Sequence, residues 1–158
     1  MSTLAPEHSG GMSILGAVTV ADIAMRPHVH VDVGATLASV VDEMKAKGRG
    51  AVLVEENGAL VGIFTERDLL NRVDHRDAQW LGAAVRDVMT PLPMVIRRED
   101  SLAEAVRRLI QGRRRHLPVV DDKGAVLGMI SIRDILSYIA GRFPEEMMNL
   151  PPDPSHES

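Results

Sequence analysis

The sequence GIFTERDLL at residues 62–70 returns as GMISIRDIL at residues 128–136. Apolar, hydroxyl, arginine and aspartate positions recur in the same order. In each copy an apolar run ends at a hydroxyl residue, and a helical pattern of apolar residues begins there, which predicts a strand, a tight turn and a helix. A polar cluster held at such a turn is suited to binding a small polar ligand.

The residues around the two copies predict the same order of elements in both halves of the chain. In the first half, Thr36 is a predicted N-cap of an amphipathic helix. Residues 51–54 are a short buried strand, Glu55–Gly58 are a hairpin turn, and residues 60–64 are the return strand. The second half repeats this order from its own predicted N-cap, Ser101.

The repeat predicts an α/β fold made of two small units. We expect an N-terminal flexible arm, a first repeat, a linker, a second repeat and a disordered tail, at residues 1–13, 14–75, 76–84, 85–142 and 143–158. Each repeat buries too little surface to be robust alone, so the two are expected to cover each other's sheets about a pseudo-twofold axis. Apolar residues near Leu70 and Leu136 indicate a homodimer, with the alternative that this face is internal core.

Composition narrows the class of protein. The chain has 158 residues, 45 % of them hydrophobic, and a net charge of -4, which disfavours general binding to nucleic acid. No cysteine is present, so disulfides and thiolate metal sites are excluded. No apolar stretch approaches the roughly 20 residues of a membrane helix, and no secretory signal is visible. We therefore expect a cytoplasmic protein that has no membrane segment.

The repeated turn pairs a hydroxyl with a carboxylate: Thr65 with Asp68, and Ser131 with Asp134. A purely structural role as a helix cap explains both side chains. It does not explain why an arginine also recurs, as Arg67 and Arg133.

A ligand would use all three side chains. The carboxylate suits ribose hydroxyls, the turn N–H groups and the arginine suit phosphate, and apolar strand edges near Ala51–Val52 and Leu117–Pro118 can hold a flat base. This set describes a site for a nucleoside phosphate.

These motifs, together with VMTP at residues 88–91 and RHLPVV at residues 115–120, resemble a tandem pair of CBS (cystathionine-β-synthase-type) domains, the Bateman module. The resemblance implies a three-stranded sheet and two helices in each repeat, with two clefts between the repeats. It implies an adenosine ligand: AMP, ADP, ATP, S-adenosylmethionine or NAD. It places the ribose carboxylate at Asp68 and Asp134, and the hydroxyl partner of that carboxylate at Thr65 and Ser131. The contacts to phosphate and base are placed at Arg67, Arg133, Arg115, His116 and Pro118.

The two clefts are not equivalent in sequence. Placing one extra residue near Gln111–Gly112 aligns Arg49–Gly50 with Arg115–His116 and Val52 with Pro118. We therefore expect the clefts to bind ligand with unequal affinity, and an empty cleft is left as an open alternative. The arginines at residues 113–115 form a basic patch; we favour attraction of phosphate, with a solvated surface and nucleic acid as alternatives.

The leading hypothesis is a sensor that passes its ligand state to an unidentified regulated protein. No nucleophile with a base and an orienting group is visible, so we expect no enzyme. The alternatives are a ligand-free scaffold and a detached regulatory fragment of a larger protein. His28 and His30 alternate on a predicted strand and can face one way with Asp32, but without a third histidine or a cysteine nearby we expect solvent-facing polar residues and no metal site.

Overall fold

The computed structural model describes residues 10–91 and 94–142. The predictions for residues 1–9 and 143–158 lie outside these ranges. Helix α1 (Gly10–Ala17) packs against a helix of the second repeat, and Leu15 reaches that repeat's apolar core. Helix α1 includes residues 10–13, which were expected to lie in the flexible arm.

The first repeat follows the predicted order. Its elements are β1 (His30–Asp32), α2 (Leu37–Lys47), β2 (Ala51–Glu56), β3 (Ala59–Thr65) and α3 (Glu66–Arg72). Thr36 caps α2, because its hydroxyl accepts from the Ser39 N–H at 3.3 Å. The hairpin turn uses Asn57 and Gly58 at φ 51° and 79°, the left-handed pair that the Asn-Gly sequence favours.

The second repeat has the same parts in the same order. Its elements are β4 (Thr90–Pro91), β5 (Ile96–Arg97), α4 (Leu102–Gln111), β6 (His116–Val120), β7 (Val126–Ser131) and α5 (Ile132–Arg142). Ser101 caps α4 as predicted, accepting from the Glu104 N–H at 3.1 Å. Short 3-10 turns stand outside these elements at Val20–Asp22, Trp80–Gly82 and Val85–Asp87.

Each repeat lends a short segment to the sheet of the other. In the first sheet β1 runs parallel to β2, β3 runs antiparallel to β2, and β4 from the second repeat joins β3, which gives four strands in place of the predicted three. The second sheet has the predicted three strands, β5-β6-β7, and Arg26 from the first repeat bridges to Met129 at its edge. Thr90 and Arg26 therefore occupy corresponding positions, opposite Ile63 and Met129.

The apolar residues form one core under each sheet and a third between the sheets. Phe64 is fully buried in the first core and Ile130 in the second. Between the sheets, Leu53 and Ile63 pack with Met129. Removing a buried aromatic ring such as Phe64 would cost about 3–5 kcal/mol. The α/β fold of two repeats that cover each other's sheets is confirmed.

The strand register corrects the internal alignment predicted from the sequence. Ala51 pairs with Thr65, and His116 pairs with Ser131, so Ala51 and His116 are counterparts. Both helices α2 and α4 end alike, with Arg49 N–H bonded to Met44 O and Arg114 N–H bonded to Leu109 O. The extra residue of the second repeat therefore lies in the turn between β6 and β7 and not near Gln111–Gly112. Three predicted pairings shift by one: Arg49 matches Arg114, Gly50 matches Arg115, and Leu53 matches Pro118.

Most of the helix face expected to form a dimer is internal. Ile135 is buried in the second core and Val73 in the first. Leu70 and Leu136, which occupy the same position in the two repeats, are exposed by 74 % and 52 %. The internal-core alternative thus accounts for most of this face, and these two leucines are what is left for contact with a second chain.

Candidate ligand-binding cleft

The first repeated turn is closed by Thr65 and Asp68. Thr65 is the N-cap of α3, and its hydroxyl accepts from the Asp68 N–H at 3.2 Å. The Asp68 Oδ2 in turn accepts from the Thr65 N–H and hydroxyl, both at 3.0 Å. This reciprocal cap satisfies N–H groups that would otherwise be unpaired at the helix start.

The second turn repeats this geometry. The Asp134 Oδ2 accepts from the Ser131 N–H and hydroxyl, both at 2.8 Å, and the Ser131 hydroxyl accepts from the Asp134 N–H at 3.3 Å. Both carboxylates are nearly buried, at 8 % and 9 % exposure. In each turn one carboxylate oxygen is used by the cap, and Oδ1 is left for another partner.

The partners of the two Oδ1 atoms differ. The Oδ1 of Asp68 lies 3.3 Å from the Nε of Arg72, one turn along the same helix, and accepts from the Thr90 hydroxyl at 3.4 Å. The Oδ1 of Asp134 accepts from the Nε of Arg26 at 2.8 Å. The bond to Asp134 has the length typical of a charge-assisted hydrogen bond, whereas both contacts of the Asp68 Oδ1 are longer than usual, so the Oδ1 of Asp134 has the stronger partner.

A cavity of about 850 Å³ opens beside the first turn. It lies between α3 and β3 of the first repeat and the segment Gly112–His116 of the second. Its lining residues are Gly50, Ile63, Thr65, Glu66, Arg67, Asp68, Leu70, Asn71, Arg72, Thr90, Gly112, Arg113, Arg114, Arg115 and His116. The volume falls in the range of small-molecule sites, roughly 300–1,000 Å³.

Arginines dominate the charge of this cavity. Arg67, Arg72 and the run Arg113–Arg115 face two acidic residues, Glu66 and Asp68. The Arg67 Nη1 donates to the carbonyl of Arg113 at 3.3 Å, which joins the two repeats across the cavity. Concentrated guanidinium groups favour anions, and phosphate above all because it accepts two parallel N–H bonds from one guanidinium.

Arg113 has a backbone conformation unusual for its type. Its φ is 49°, whereas Gly48, its counterpart at the end of α2, has φ 58°. Left-handed backbone costs a side-chain-bearing residue roughly 1–2 kcal/mol and costs glycine little. The backbone of the second repeat is thus strained at a position where an arginine, and not a glycine, lines the cavity.

His116 lies between the two turns. It lines the cavity beside Asp68, and it is the strand partner of Ser131 in the other turn. Burial lowers the pKa of His116, and the nearby Asp134 carboxylate opposes part of that shift. In the free protein near neutral pH the ring is therefore mostly uncharged.

The predicted site residues divide into two groups. Thr65, Arg67, Asp68, Arg115 and His116 line the cavity. The other four lie elsewhere: Ser131 and Asp134 in the second turn, Arg133 exposed on α5, and Pro118 buried in β6.

The strand edges expected to hold a base are not accessible to a ligand, because their side chains pack in the apolar cores. Val52 and Leu117 are fully buried in the two helix-side cores, and Ala51 lies between the sheets. The apolar side chains that do line the cavity are Ile63 and Leu70.

The sequence contained no indication of a site role for three residues around the turns, which are Arg26, Arg72 and Thr90. Thr90 lies in a motif already noted, and the spacing of Arg72 from Asp68 could have placed it over the carboxylate. Arg113 and Arg114 belong to the basic patch for which attraction of phosphate was predicted, and both line the cavity. The contact between Arg26 and Asp134 spans 108 positions and leaves no local pattern.

Comparison with known proteins detects the same two repeats. The family model described as CBS domain matches residues 20–75 and again 85–141. A 135-residue stretch is 30% identical to uncharacterized protein MK0525 of Methanopyrus kandleri, covering 83% of this chain and 69% of that protein. A stretch of 111 residues is 36% identical to the meiotically up-regulated gene 70 protein of Schizosaccharomyces pombe, but covers 70% of this chain and only 15% of that protein.

Among solved structures, CBSX2 in complex with AMP superimposes with a TM-score of 0.66 at 29% identity, covering 79% of this chain and 98% of that chain. Within residues 10–91 and 94–142, every helix is too short or too polar to span a bilayer.

Proposed function

The chain belongs to the CBS domain family, and from that premise we propose that it is a regulatory module that binds a phosphorylated adenosine compound beside Asp68. The observation that carries the proposal is the cavity that brings a nearly buried carboxylate and five arginines together. A relative with the same fold, CBSX2, has been solved with AMP. The role is regulatory and not catalytic.

The ribose is assigned to Asp68. Its Oδ1 has only long contacts, at 3.3 and 3.4 Å, to Arg72 and Thr90. Replacing such weak contacts by hydrogen bonds from two ribose hydroxyls loses little and gains charge-assisted bonds. The same exchange at Asp134 would have to break the 2.8 Å bond from Arg26, so we assign the ligand to the first cleft.

The phosphate is assigned to Arg67 and the run Arg113–Arg115. These side chains make the cavity attractive to AMP, ADP, ATP or NAD and unattractive to the cationic sulfonium of S-adenosylmethionine. The exposed Leu70 offers apolar surface for a base, whereas Ile63 borders the cavity from the core between the sheets.

The site also suggests how ligand state reaches a partner. One wall belongs to α3 of the first repeat and the opposite wall to residues 112–116 of the second. A ligand that touches both walls favours the arrangement of repeats in which both contacts are made. The regulated protein would read that arrangement.

The exposed Leu136, which is not part of the cavity lining, extends the proposal to a homodimer. Sedimentation of the wild type and of Leu136→Arg tests this part of the proposal. We expect a dimer that the added charge converts to a monomer, and a wild-type monomer would contradict it.

The function is tested by calorimetry with AMP, ADP, ATP, NAD and S-adenosylmethionine, together with thermal unfolding at rising ligand concentration. We expect at least one phosphorylated adenosine compound to bind with a Kd of roughly micromolar to millimolar and to raise the Tm. S-adenosylmethionine should bind about ten-fold more weakly or not at all. If none of the five compounds binds, the chain is better described as a ligand-free scaffold.

A further inference from the structure

Two histidines and a glutamate meet at the edge of the first sheet. His28 and His30 alternate along the chain, so they project from the same side of strand β1 and the residues leading into it. Strand β2 runs parallel to β1 and brings Glu55 opposite Asp32, two positions beyond His30. The ligating atoms of His28, His30 and Glu55 all lie within 4.8 Å of one another.

We propose that His28, His30 and Glu55 bind a divalent transition-metal ion such as Zn²⁺. Imidazole and carboxylate are established ligands of Zn²⁺, at bond lengths of about 2.0–2.2 Å. Two ligands of one ion can therefore be up to roughly 4 Å apart. Small side-chain rotations would close the present separations, and His30, being exposed, is free to make them.

The second repeat shows that folding does not demand these three side chains. Register places Val31 and Ile96 at corresponding positions, which makes Val95 the counterpart of His30 and Val120 the counterpart of Glu55. Strand β5 pairs with β6 in the same parallel manner although two of the three ligands are replaced by valine. The ligand set is thus particular to the first repeat.

The arrangement of the two imidazoles is consistent with binding to one ion. The rings of the two histidines lie 5.8 Å apart between centroids. Among the described residues, no other group of three potential ligands comes together in this way.

The ion would fix a weakly held part of the fold. Strand β1 has three residues and pairs on one side only. A metal would tie it to β2 through side chains. Because His28 follows Arg26 closely in the chain, the ion would also restrain the segment that presents Arg26 to Asp134.

The test is titration of the metal-free full chain with Zn²⁺ by calorimetry, and with Co²⁺ by visible absorption. We expect one ion per chain, a Tm that rises with Zn²⁺ and falls on adding EDTA, and ligand-field bands from Co²⁺. His30→Ala and Glu55→Gln should each weaken binding by about ten-fold or more. His75→Ala is the matched control, because His75 is exposed and contacts Trp80 in a different part of the chain.

Three outcomes would overturn the proposal: no binding, binding that His75→Ala weakens as much as His30→Ala does, or binding unchanged in both His30→Ala and Glu55→Gln. The last is the signature of an adventitious ion only. Circular dichroism of His30→Ala separates loss of a ligand from loss of fold.

Discussion

The turns at Asp68 and Asp134 have the same backbone and the same reciprocal cap, yet they differ in the residues that face them and in the partners of their Oδ1 atoms. Across the cavity from Asp68 the chain presents Arg113–His116, whose symmetry counterparts in the first repeat are Gly48–Ala51. The second repeat thus places three arginines and a histidine where the first has one arginine. Asp68 is left with long contacts, whereas Asp134 is closed by Arg26.

This difference separates a folding requirement from a binding requirement. The cap uses the hydroxyl and the Oδ2 of the aspartate in both repeats, so these two residues would recur even if nothing bound. What distinguishes a ligand site is the partner of Oδ1 and the charge on the opposite wall. The recurring motif marks where clefts can form, and its neighbours decide which cleft is used.

Exchanging the partners of the two Oδ1 atoms should change ligand binding strongly. Thr90→Arg should supply Asp68 with the guanidinium that Asp134 already has, and weaken binding of AMP by about 100-fold through loss of the ribose contacts. Calorimetry measures this change. Thr90→Ser keeps the hydroxyl and serves as the control.

The reverse substitution, Arg26→Thr, should free Asp134 and raise the stoichiometry from one ligand per chain toward two at high ligand concentration. Unchanged affinity in Thr90→Arg would mean that Asp68 does not hold the ribose.

The next prediction concerns the stability of the fold, and tests how closely the segments that carry Arg26 and Thr90 pack against Gly128 and Gly62. A Cβ at Gly128 would lie 2.9 Å from the Cβ of Met25, which cannot move without its backbone. At Gly62 the closest atom is the flexible end of Met89, although the Thr90 carbonyl is also near, at 3.1 Å. Gly128→Ala should therefore lower the free energy of unfolding by about 1–3 kcal/mol, and Gly62→Ala by less.

Chemical denaturation of both alanine variants gives these values. The same loss in both, or a greater loss in Gly62→Ala, would show that the two crossing segments are not held as described.

A smaller effect, with opposite signs for stability and binding, is expected at Arg113. Arg113→Gly relieves left-handed strain and should stabilise the fold by up to about 1 kcal/mol. It should also weaken AMP binding by about five- to ten-fold, because a phosphate contact is lost. Gly48→Ala is the converse control, since it introduces strain at the matching position in open space and should leave binding unchanged. Binding unaffected by Arg113→Gly would remove this arginine from the phosphate site.

The smallest effect is on pH dependence. The pKa of His116 is lowered in the free protein, and a bound phosphate should raise it, so binding takes up a proton and tightens as pH falls. Between about pH 8 and pH 6 we expect a gain of about two- to five-fold for the wild type relative to His116→Gln. Titration of the AMP phosphate itself affects both proteins alike. Parallel pH profiles for the two would exclude His116 from contact with phosphate.

Local patterns were sufficient to predict most of the fold. The N-caps Thr36, Ser101 and Thr65, the Asn57–Gly58 turn and the order of strands and helices all follow from short-range sequence. The alignment of the repeats could not be predicted, because residues 117–120 are apolar at every position and buried on both faces. Without alternation, a strand shifted by one residue looks the same in sequence, and only its hydrogen bonds fix the register.

The site was less predictable than the fold for a related reason. Thr65 and Asp68 reveal themselves through their spacing, but Arg26 and Glu55 act through contacts with residues that are distant along the chain. A third ligand for His28 and His30 becomes visible only once β2 lies beside β1.

Titration of AMP into the wild type, Asp68→Asn and Asp134→Asn distinguishes the two clefts, with the fold of each protein checked by thermal unfolding. We predict one site per chain in the wild type, loss of that site in Asp68→Asn, and nearly unchanged affinity in Asp134→Asn, whose main defect should be lower stability. Binding that survives in Asp68→Asn but is lost in Asp134→Asn would contradict the assignment of the two clefts.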